Sequence, residues 1–188
     1  SENHFVVGMV TRLVREKGCI DFFNAASIII QRYENARFLL VGIPENNDQK
    51  DAVDPVALAK EYCVLDECVL LRDRMDMPEL YLSMDMCVLP SYREGLPRCL
   101  LEAAMMGTPT IATRIRGCKE VIVDGETGLL YPPGNVNEFV AVIDRLINDE
   151  ILRKRISKEG ILRAETNYTE ARVTQRIVDL YQSVVPNL

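Results

Sequence analysis

Residues 90–113 read P-S-Y-R-E-G-L-P-R-C-L-L-E-A-A-M-M-G-T-P-T-I-A-T, a run that combines a loop, a helix, a tight turn and a strand. The apolar run D-M-C-V-L at 85–89 precedes it and predicts a short buried strand. Pro97 suits the first turn of a helix, where its missing N–H is no loss. Gly107 and Pro109 end that helix, and T-I-A-T begins the next strand. The run therefore predicts a strand–helix–strand unit.

Two glutamates are the most informative residues of this unit. Residues 99–106 are apolar on every side of the predicted helix, so we expect the helix to be buried. Glu102 is the only charged residue between Arg98 and Arg114. A carboxylate buried among Leu, Ala and Met is costly unless it is hydrogen-bonded. Glu94 lies in the loop that leads into the helix.

Two interpretations of these glutamates compete. In the first, backbone N–H groups satisfy Glu102, and Glu94 is a solvated loop residue. In the second, both belong to a ligand site. The free N–H groups and the positive dipole of the helix N-terminus attract an anion, while the carboxylates accept hydrogen bonds from hydroxyls. A phosphate together with a polyol describes a nucleotide sugar, and we favour this second interpretation.

Strand and helix signals alternate along the whole chain with short connections. The further strands are predicted at 5–10, 37–42, 68–71 and within 124–131, and the further helices at 19 to about 32, 54–63 after Asp54, 76–84 after Asp76, a brief helix before 124, 135–148 after Asn135, 149–165 and 169–185. This alternation predicts an α/β fold, a doubly wound, Rossmann-like parallel sheet of about six strands with helices on both faces and C-terminal helices appended.

The loop at 11–18 follows the first strand and carries Arg12 and Lys17 before Gly18. Both side chains suit a phosphate, although two solvated cations on a loop would look the same. The chain contains neither G-x-G-x-x-G nor G-x-x-x-x-G-K-[ST], so side chains and helix N-termini would have to hold the phosphate. The loops at 11–18 and 90–97 both leave strands at the carboxyl edge of the sheet. We therefore expect them to face one crevice.

The composition narrows the class of protein. A net charge of −6 and an aromatic content of 6% without Trp argue against a nucleic-acid partner. With one His and no C-x-x-C, we expect no metal site. We expect six reduced, buried cysteines in a cytoplasmic protein: Cys19, Cys63, Cys68, Cys87, Cys99 and Cys118. The sequence shows no run long enough to span a bilayer and no signal peptide.

Two stretches of the chain together resemble one family. V-G-M-V-T-R-L-V-R-E-K-G at 7–18 and R-E-G-L-P-R-C-L-L-E-A at 93–103, followed by G-T-P-T-I-A-T, are similar to the C-terminal, donor-binding half of retaining GT-B glycosyltransferases. The group is often called glycosyl transferases group one, family four. The second stretch contains its signature of Glu, seven residues and Glu, and the resemblance covers nearly the whole chain.

The resemblance implies a role for each matched position. Arg12 and Lys17 would bind the donor diphosphate and stabilise the leaving nucleotide. Glu94 would contact hydroxyls of the donor sugar, and Glu102 would accept hydrogen bonds from the ribose hydroxyls. The other positions implied to line the donor are the backbone of Gly95, Leu96 and Arg98, with Arg74 beside the base.

The forms Y-R-E-G-L-P-R and R-G-C-K-E-V-I also resemble bacterial enzymes that build capsule or lipid-linked oligosaccharides. This implies a hexosyltransferase that moves a hexose or N-acetylhexosamine from a UDP sugar to a glycan or lipid-linked acceptor, with retention and without a metal ion. Residues 1–168 would be the donor-binding domain and 169–188 a helix returning to a missing N-terminal acceptor domain. The full-length enzyme could then associate peripherally with the inner face of the membrane, while the present fragment alone would be inactive.

Two other functions fit the same architecture. One is a nucleotide-sugar 2-epimerase, whose acid–base residues this chain does not display. The other is a non-catalytic nucleotide-binding module that has kept the scaffold.

Overall fold

The computed structural model describes residues 4–42 and 51–184, and a single parallel β-sheet forms its centre. The strands are β1 (Phe5–Val10), β2 (Ala36–Val41), β3 (Cys68–Leu71), β4 (Met86–Leu89), β5 (Thr110–Thr113) and β6 (Leu129–Tyr131). The helices are α1 (Cys19–Ile29), α2 (Pro55–Glu61), α3 (Met77–Leu82), α4 (Arg98–Met105), α5 (Arg116–Val121), α6 (Val136–Asn148), α7 (Glu150–Asn167) and α8 (Glu170–Val184). The prediction of a doubly wound α/β fold with six parallel strands is confirmed.

The strand order places a reversal in the middle of the sheet. The order is β3-β2-β1-β4-β5-β6, so the first half of the chain builds outward from β1 and the second half builds outward from β4. β1 pairs in parallel with both β2 and β4, with Val7 opposite Phe38 on one side and Met86 on the other. The crevice beyond the carboxyl ends of β1 and β4 is therefore the point at which such sheets bind ligands.

Helices cover both faces of the sheet, because side chains along each strand point alternately to one face and the other. On one face, α1, α2 and α6 pack over a core that includes Phe22, whose ring lies edge-to-face against Phe23 and Phe38 with centroids 5.5 and 5.6 Å away. On the other face, α3, α4 and α5 cover residues such as Leu39 and Leu89. α7 packs in turn on α4.

Two of the three predicted helix caps are confirmed. The Asp54 carboxylate accepts from the N–H of Val56 at 2.9 Å, and Asn135 Oδ1 accepts from the N–H of Glu138 at 3.1 Å. Asp76 stands at the start of α3 but makes no side-chain cap, so that prediction is wrong. Its carboxylate pairs instead with the guanidinium of Arg74, a charged donor that outcompetes a backbone N–H.

The expectation that the helix at 99–106 is buried on every side is wrong. Leu100, Ala103 and Ala104 are buried, whereas Met105 is 38% exposed and the Glu102 side chain 42% exposed. The reason is geometric. α4 packs against β4 and β5 on one side and α7 on another, and part of its circumference stays open to solvent.

The six cysteines are all free, but only three of them are buried as expected: Cys19, Cys87 and Cys118. Cys63 is exposed, because it lies in the turn after α2, where it adopts a φ of 56°, and Cys68 and Cys99 are half-buried. Burial raises the pKa of the Cys118 thiol to about 12. Within 4–42 and 51–184 there is no helix long and apolar enough to cross a membrane and no cluster of three metal-binding side chains.

The last helix, α8, leaves the body of the domain. Every described residue of α8 is exposed, including a set of large apolar side chains: Val173, Ile177, Val178, Leu180, Tyr181 and Val184. The predicted helix at 169–188 is thus present from Glu170 to Val184, and its last four positions lie outside the described residues.

The core contacts of Phe22 predict a large loss of stability for Phe22→Ala. The side chain is 1% exposed and its removal leaves a cavity between α1 and β2, so we expect the free energy of unfolding to fall by about 3–4 kcal/mol. Urea unfolding followed by circular dichroism measures this. Leu162→Ala on the exposed side of α7 is the control, with an expected loss under about 0.5 kcal/mol. Equal losses for the two variants would contradict the described packing.

Candidate functional site

The loops after β1 and β4 meet at the strand reversal, as the sequence predicts. The N–H of Tyr92 donates to the carbonyl of Glu16 at 2.8 Å, which joins the two loops directly. Gly18 has a φ of 75°, and a Cβ built there would lie 2.1 Å from the carbonyl oxygen of Pro90. Only glycine accepts both that backbone conformation and that contact without a shift of the loop.

An ion pair between Lys17 and Glu94 forms the centre of this junction. Lys17 Nζ lies 2.8 Å from Glu94 Oε1, and each side chain is only 12% exposed. Ser91 Oγ donates to the same Oε1 at 2.7 Å. Because both charges are largely withdrawn from water, removing either one would leave the other buried without its counter-charge. The structure thus brings together a cation of the first loop and a carboxylate of the second.

A second layer of contacts holds the Glu94 loop from outside. Tyr92 OH donates to Asp21 Oδ2 of α1 at 2.7 Å, and Arg93 pairs with Glu16 at 3.1 Å. Burial raises the pKa of the Asp21 carboxyl, and the hydrogen bond from Tyr92 opposes that shift. Asp21, Ser91 and Tyr92 were not predicted from the sequence as site residues. Their signal was weak, because a Ser and a Tyr next to an expected site glutamate also fit an ordinary loop.

The predicted backbone positions lie at the rim of the crevice. A Cβ at Gly95 would have open space around it, Leu96 is half-exposed, and the Arg98 side chain is 87% exposed. α4 begins at Arg98 with Pro97 at its N-cap, and its first N–H groups have no side-chain cap. An N-terminus of this kind attracts anions.

α5 supports the same loop from below. A Cβ at Gly117 would lie 2.4 Å from the carbonyl oxygen of Glu94 and 2.5 Å from that of Gly95. Beside Gly117 lies a cleft of about 550 Å³. The Glu94 loop lines it with Glu94, Gly95 and Leu96, and four residues that were not predicted as site residues complete the lining: Arg116, Glu120, Tyr168 and Arg176. The Glu94 loop therefore packs against the backbone of α5 at Gly117 and also borders the open cleft.

Glu102 is partly exposed on α4 instead of deep in the core. Its Oε2 accepts a hydrogen bond from the hydroxyl of Tyr81 at 2.9 Å, and its Oε1 lies 3.6 Å from the Arg98 guanidinium. Its described partners are therefore a phenol from α3 and a guanidinium of α4 itself, and not the backbone N–H groups of the first interpretation.

Arg12 and Arg74 lie together on the other side of the first loop. Both line a cavity of about 210 Å³ beyond the ends of β1 and β2, which also includes Gly42 and Asp73. Arg74 is oriented by Asp76, with Nε 2.7 Å from Oδ1. Of the predicted residues, Lys17 and Glu94 therefore form one cluster, whereas Arg12 and Arg74 line a separate cavity.

Residues 1–163 match the family described as Glycosyl transferases group 1, and the chain belongs to this family. The capsular polysaccharide biosynthesis glycosyltransferase CapM of Staphylococcus aureus is 29% identical over 181 residues, which are 96% of this chain and 47% of that protein. A D-inositol 3-phosphate glycosyltransferase of Corynebacterium urealyticum is 28% identical over 183 residues, 95% of this chain and 43% of that protein. The chain thus spans about half the length of these relatives.

Solved structures share the fold. The C-terminal domain of a glycosyl transferase group 1 family protein (LpcC) from Francisella tularensis has a TM-score of 0.78 and 25% identity, over 88% of this chain and 87% of that chain. Anabaena Alr3699/HepE, solved in complex with UDP and glucose, has a TM-score of 0.88 and 25% identity, over 96% of this chain and 49% of that chain. The chain has the Rossmann-like fold of a GT-B C-terminal domain, which confirms the resemblance seen in the sequence.

The contact of Gly117 with the Glu94 loop predicts that Gly117→Ala destabilises the domain. The added methyl group meets backbone oxygens that cannot move without displacing the loop, so we expect a loss of about 2 kcal/mol. Urea unfolding measures it. Gly95→Ala is the matched control, because its methyl group meets open space and its effect on stability should be small. Equal stabilities of the two variants would contradict this packing of α5.

Proposed function

We propose that this chain is the donor-binding half of a retaining glycosyltransferase that takes a sugar from a nucleotide sugar, a UDP-hexose or UDP-N-acetylhexosamine. The observation that carries the proposal is the Lys17–Glu94 ion pair beside the uncapped N-terminus of α4, at the strand reversal of the sheet. A related structure, Alr3699/HepE, was solved with UDP and glucose and has the same fold over most of this chain.

The ion pair leaves binding capacity for a donor on both of its members. Lys17 Nζ has three N–H donors, of which Glu94 takes one at 2.8 Å and the Arg93 carbonyl takes another at 3.5 Å, so one is left for a donor phosphate. Within 4–42 and 51–184, Lys17 and Ser91 both bind Oε1 of Glu94, so Oε2 is available to a sugar hydroxyl. One side of the pair therefore suits a diphosphate and the other a sugar.

The remaining donor contacts follow from the order of elements around the crevice. The N–H groups of the α4 N-terminus, near Leu96 and Arg98, would bind a phosphate next to Gly95 and Glu94. Glu102, one turn further along α4, would accept hydrogen bonds from the ribose hydroxyls. Arg12 and Arg74 lie beyond the ends of β1 and β2. When the donor is bound, Arg12 would contact the diphosphate together with Lys17, and Arg74 would lie next to the base.

The proposed mechanism stabilises the leaving nucleotide by fixed positive charge. As the bond from the anomeric carbon to the phosphate oxygen breaks, negative charge grows on the diphosphate. Lys17, Arg12 and the helix N-terminus would balance that charge without a metal ion. The acceptor hydroxyl would attack from the face that the nucleotide leaves, which gives retention.

The acceptor substrate would be bound by a part of the protein outside this chain. The relatives are about twice as long, and one of them is named for capsular polysaccharide biosynthesis. We infer an N-terminal acceptor domain, a glycan or lipid-linked acceptor, and action in the cytoplasm at the inner face of the membrane.

Nucleotide binding by the chain tests the donor site. We expect the chain to bind UDP weakly and Lys17→Met to weaken binding about tenfold, because a partly buried cation would be lost from the diphosphate. Calorimetry or NMR titration with UDP, GDP and ADP measures the affinities and ranks the bases. Lys154→Met is the control, since Lys154 is an exposed lysine of α7 paired with Glu150. Equal affinities for Lys17→Met and the unmodified chain would contradict the assignment.

Because the proposed acceptor domain lies outside this chain, we expect the isolated chain to transfer no sugar. A radiolabelled donor should give no product with it. Turnover by the fragment would show that the acceptor site lies within it.

Metal-independent binding predicts that EDTA leaves the UDP affinity of the chain unchanged. A loss of affinity on chelation would contradict it.

A further inference from the structure

Tyr81 connects the core of the domain to Glu102. The side chain is 1% exposed, and its hydroxyl donates to Glu102 Oε2 at 2.9 Å. Its backbone is also held, because Thr108 Oγ1 donates to the Tyr81 carbonyl at 2.8 Å. Thr108 follows the end of α4. The hydroxyl and the carbonyl of Tyr81, in α3, are therefore both hydrogen-bonded to α4 or to the residues just after it. The phenol therefore has a fixed position relative to α4.

Two groups contact the Glu102 carboxylate, one at each oxygen. Tyr81 binds Oε2 from the buried side, and the Arg98 guanidinium lies 3.6 Å from Oε1 on the solvent side. Arg98 is one helical turn earlier and almost fully exposed, so its ion pair is screened by water and geometrically loose. The hydrogen bond from Tyr81 is the one that can fix the direction of the carboxylate.

The buried phenol is the hydrogen-bond donor in this contact. Burial raises the pKa of Tyr81 far above its ordinary value, and the neighbouring Cys87, Cys99 and Glu102 act in the same direction. The hydroxyl proton therefore stays on the tyrosine, and the carboxylate is its acceptor.

We propose that Tyr81 is a positioning residue for nucleotide recognition: it orients Glu102 so that the carboxylate accepts from the ribose 2′ and 3′ hydroxyls, and thereby sets the preference for a ribonucleotide over one without these hydroxyls. The proposal rests on the donor-binding function given above. Without the phenol, the carboxylate is free to turn toward Arg98 and must be ordered again when a ribose binds, at a cost in side-chain entropy.

The test compares UDP with 2′,3′-dideoxy-UDP on Tyr81→Phe, which keeps the buried ring and removes only the hydroxyl. We expect the affinity for UDP to fall about five- to tenfold, since a hydrogen bond to a charged group no longer orients Glu102. The affinity for the dideoxy nucleotide should stay the same, because that ligand does not use Glu102. NMR titration measures both affinities. Tyr33→Phe is the matched control, since its hydroxyl contacts Asn148 on the opposite face of the sheet and both affinities should be unchanged.

Each other outcome overturns the proposal. An equal loss for both nucleotides would mean that Tyr81 acts only through the packing of α3, and no loss for either would mean that Glu102 is oriented without it. Glu102→Ala separates this failure from failure of the proposed function. If Glu102→Ala abolishes the preference for UDP while Tyr81→Phe keeps it, only the role of Tyr81 falls. If Glu102→Ala keeps the preference, or the unmodified chain does not bind UDP, the donor-site assignment falls as well.

Discussion

The ion pair between Lys17 and Glu94 is the constraint on which the rest of the site depends. Both charges are largely removed from water, so each is tolerable only while the other is in place. They come from loops after β1 and β4, and these strands are neighbours only because the strand order reverses there. Gly18 and Gly117 both approach the loop after β4 closely. These two contacts hold the loop, and with it the Glu94 carboxylate, in position beside Lys17.

In the proposed donor site, α4 meets requirements that usually conflict. Its buried side, with Leu100 and Ala103, packs against the sheet, while its N-terminus must stay uncapped and its Glu102 must stay accessible. The domain resolves the conflict by covering only part of the helix circumference. Glu102 is anchored from the core side by Tyr81 and open on the other side, which gives a carboxylate that is ordered and still accessible.

Most of the fold could be predicted from the sequence, because its signals are local. The periodicity of the strands and the caps at Asp54 and Asn135 follow from short-range rules, and the meeting of the two loops follows from the topology that a doubly wound sheet imposes. The errors came from long-range or competing contacts. The apolar character of α4 could not show which side its neighbours leave uncovered. Tyr81 as the partner of Glu102 is a tertiary contact that no spacing encodes. At Asp76 a signal was present, since Arg74 stands two positions earlier and competes for the cap.

The distance along the chain between the members of the ion pair has a consequence for folding. Lys17 and Glu94 are 77 positions apart, so their contact requires that β1 and β4, from the two halves of the sheet, lie side by side. A molecule in which either half is still unfolded has no such crevice. A bound nucleotide would therefore stabilise the completed sheet selectively by mass action, and the rise in melting temperature that it causes would report how much of a preparation has reached the final strand order.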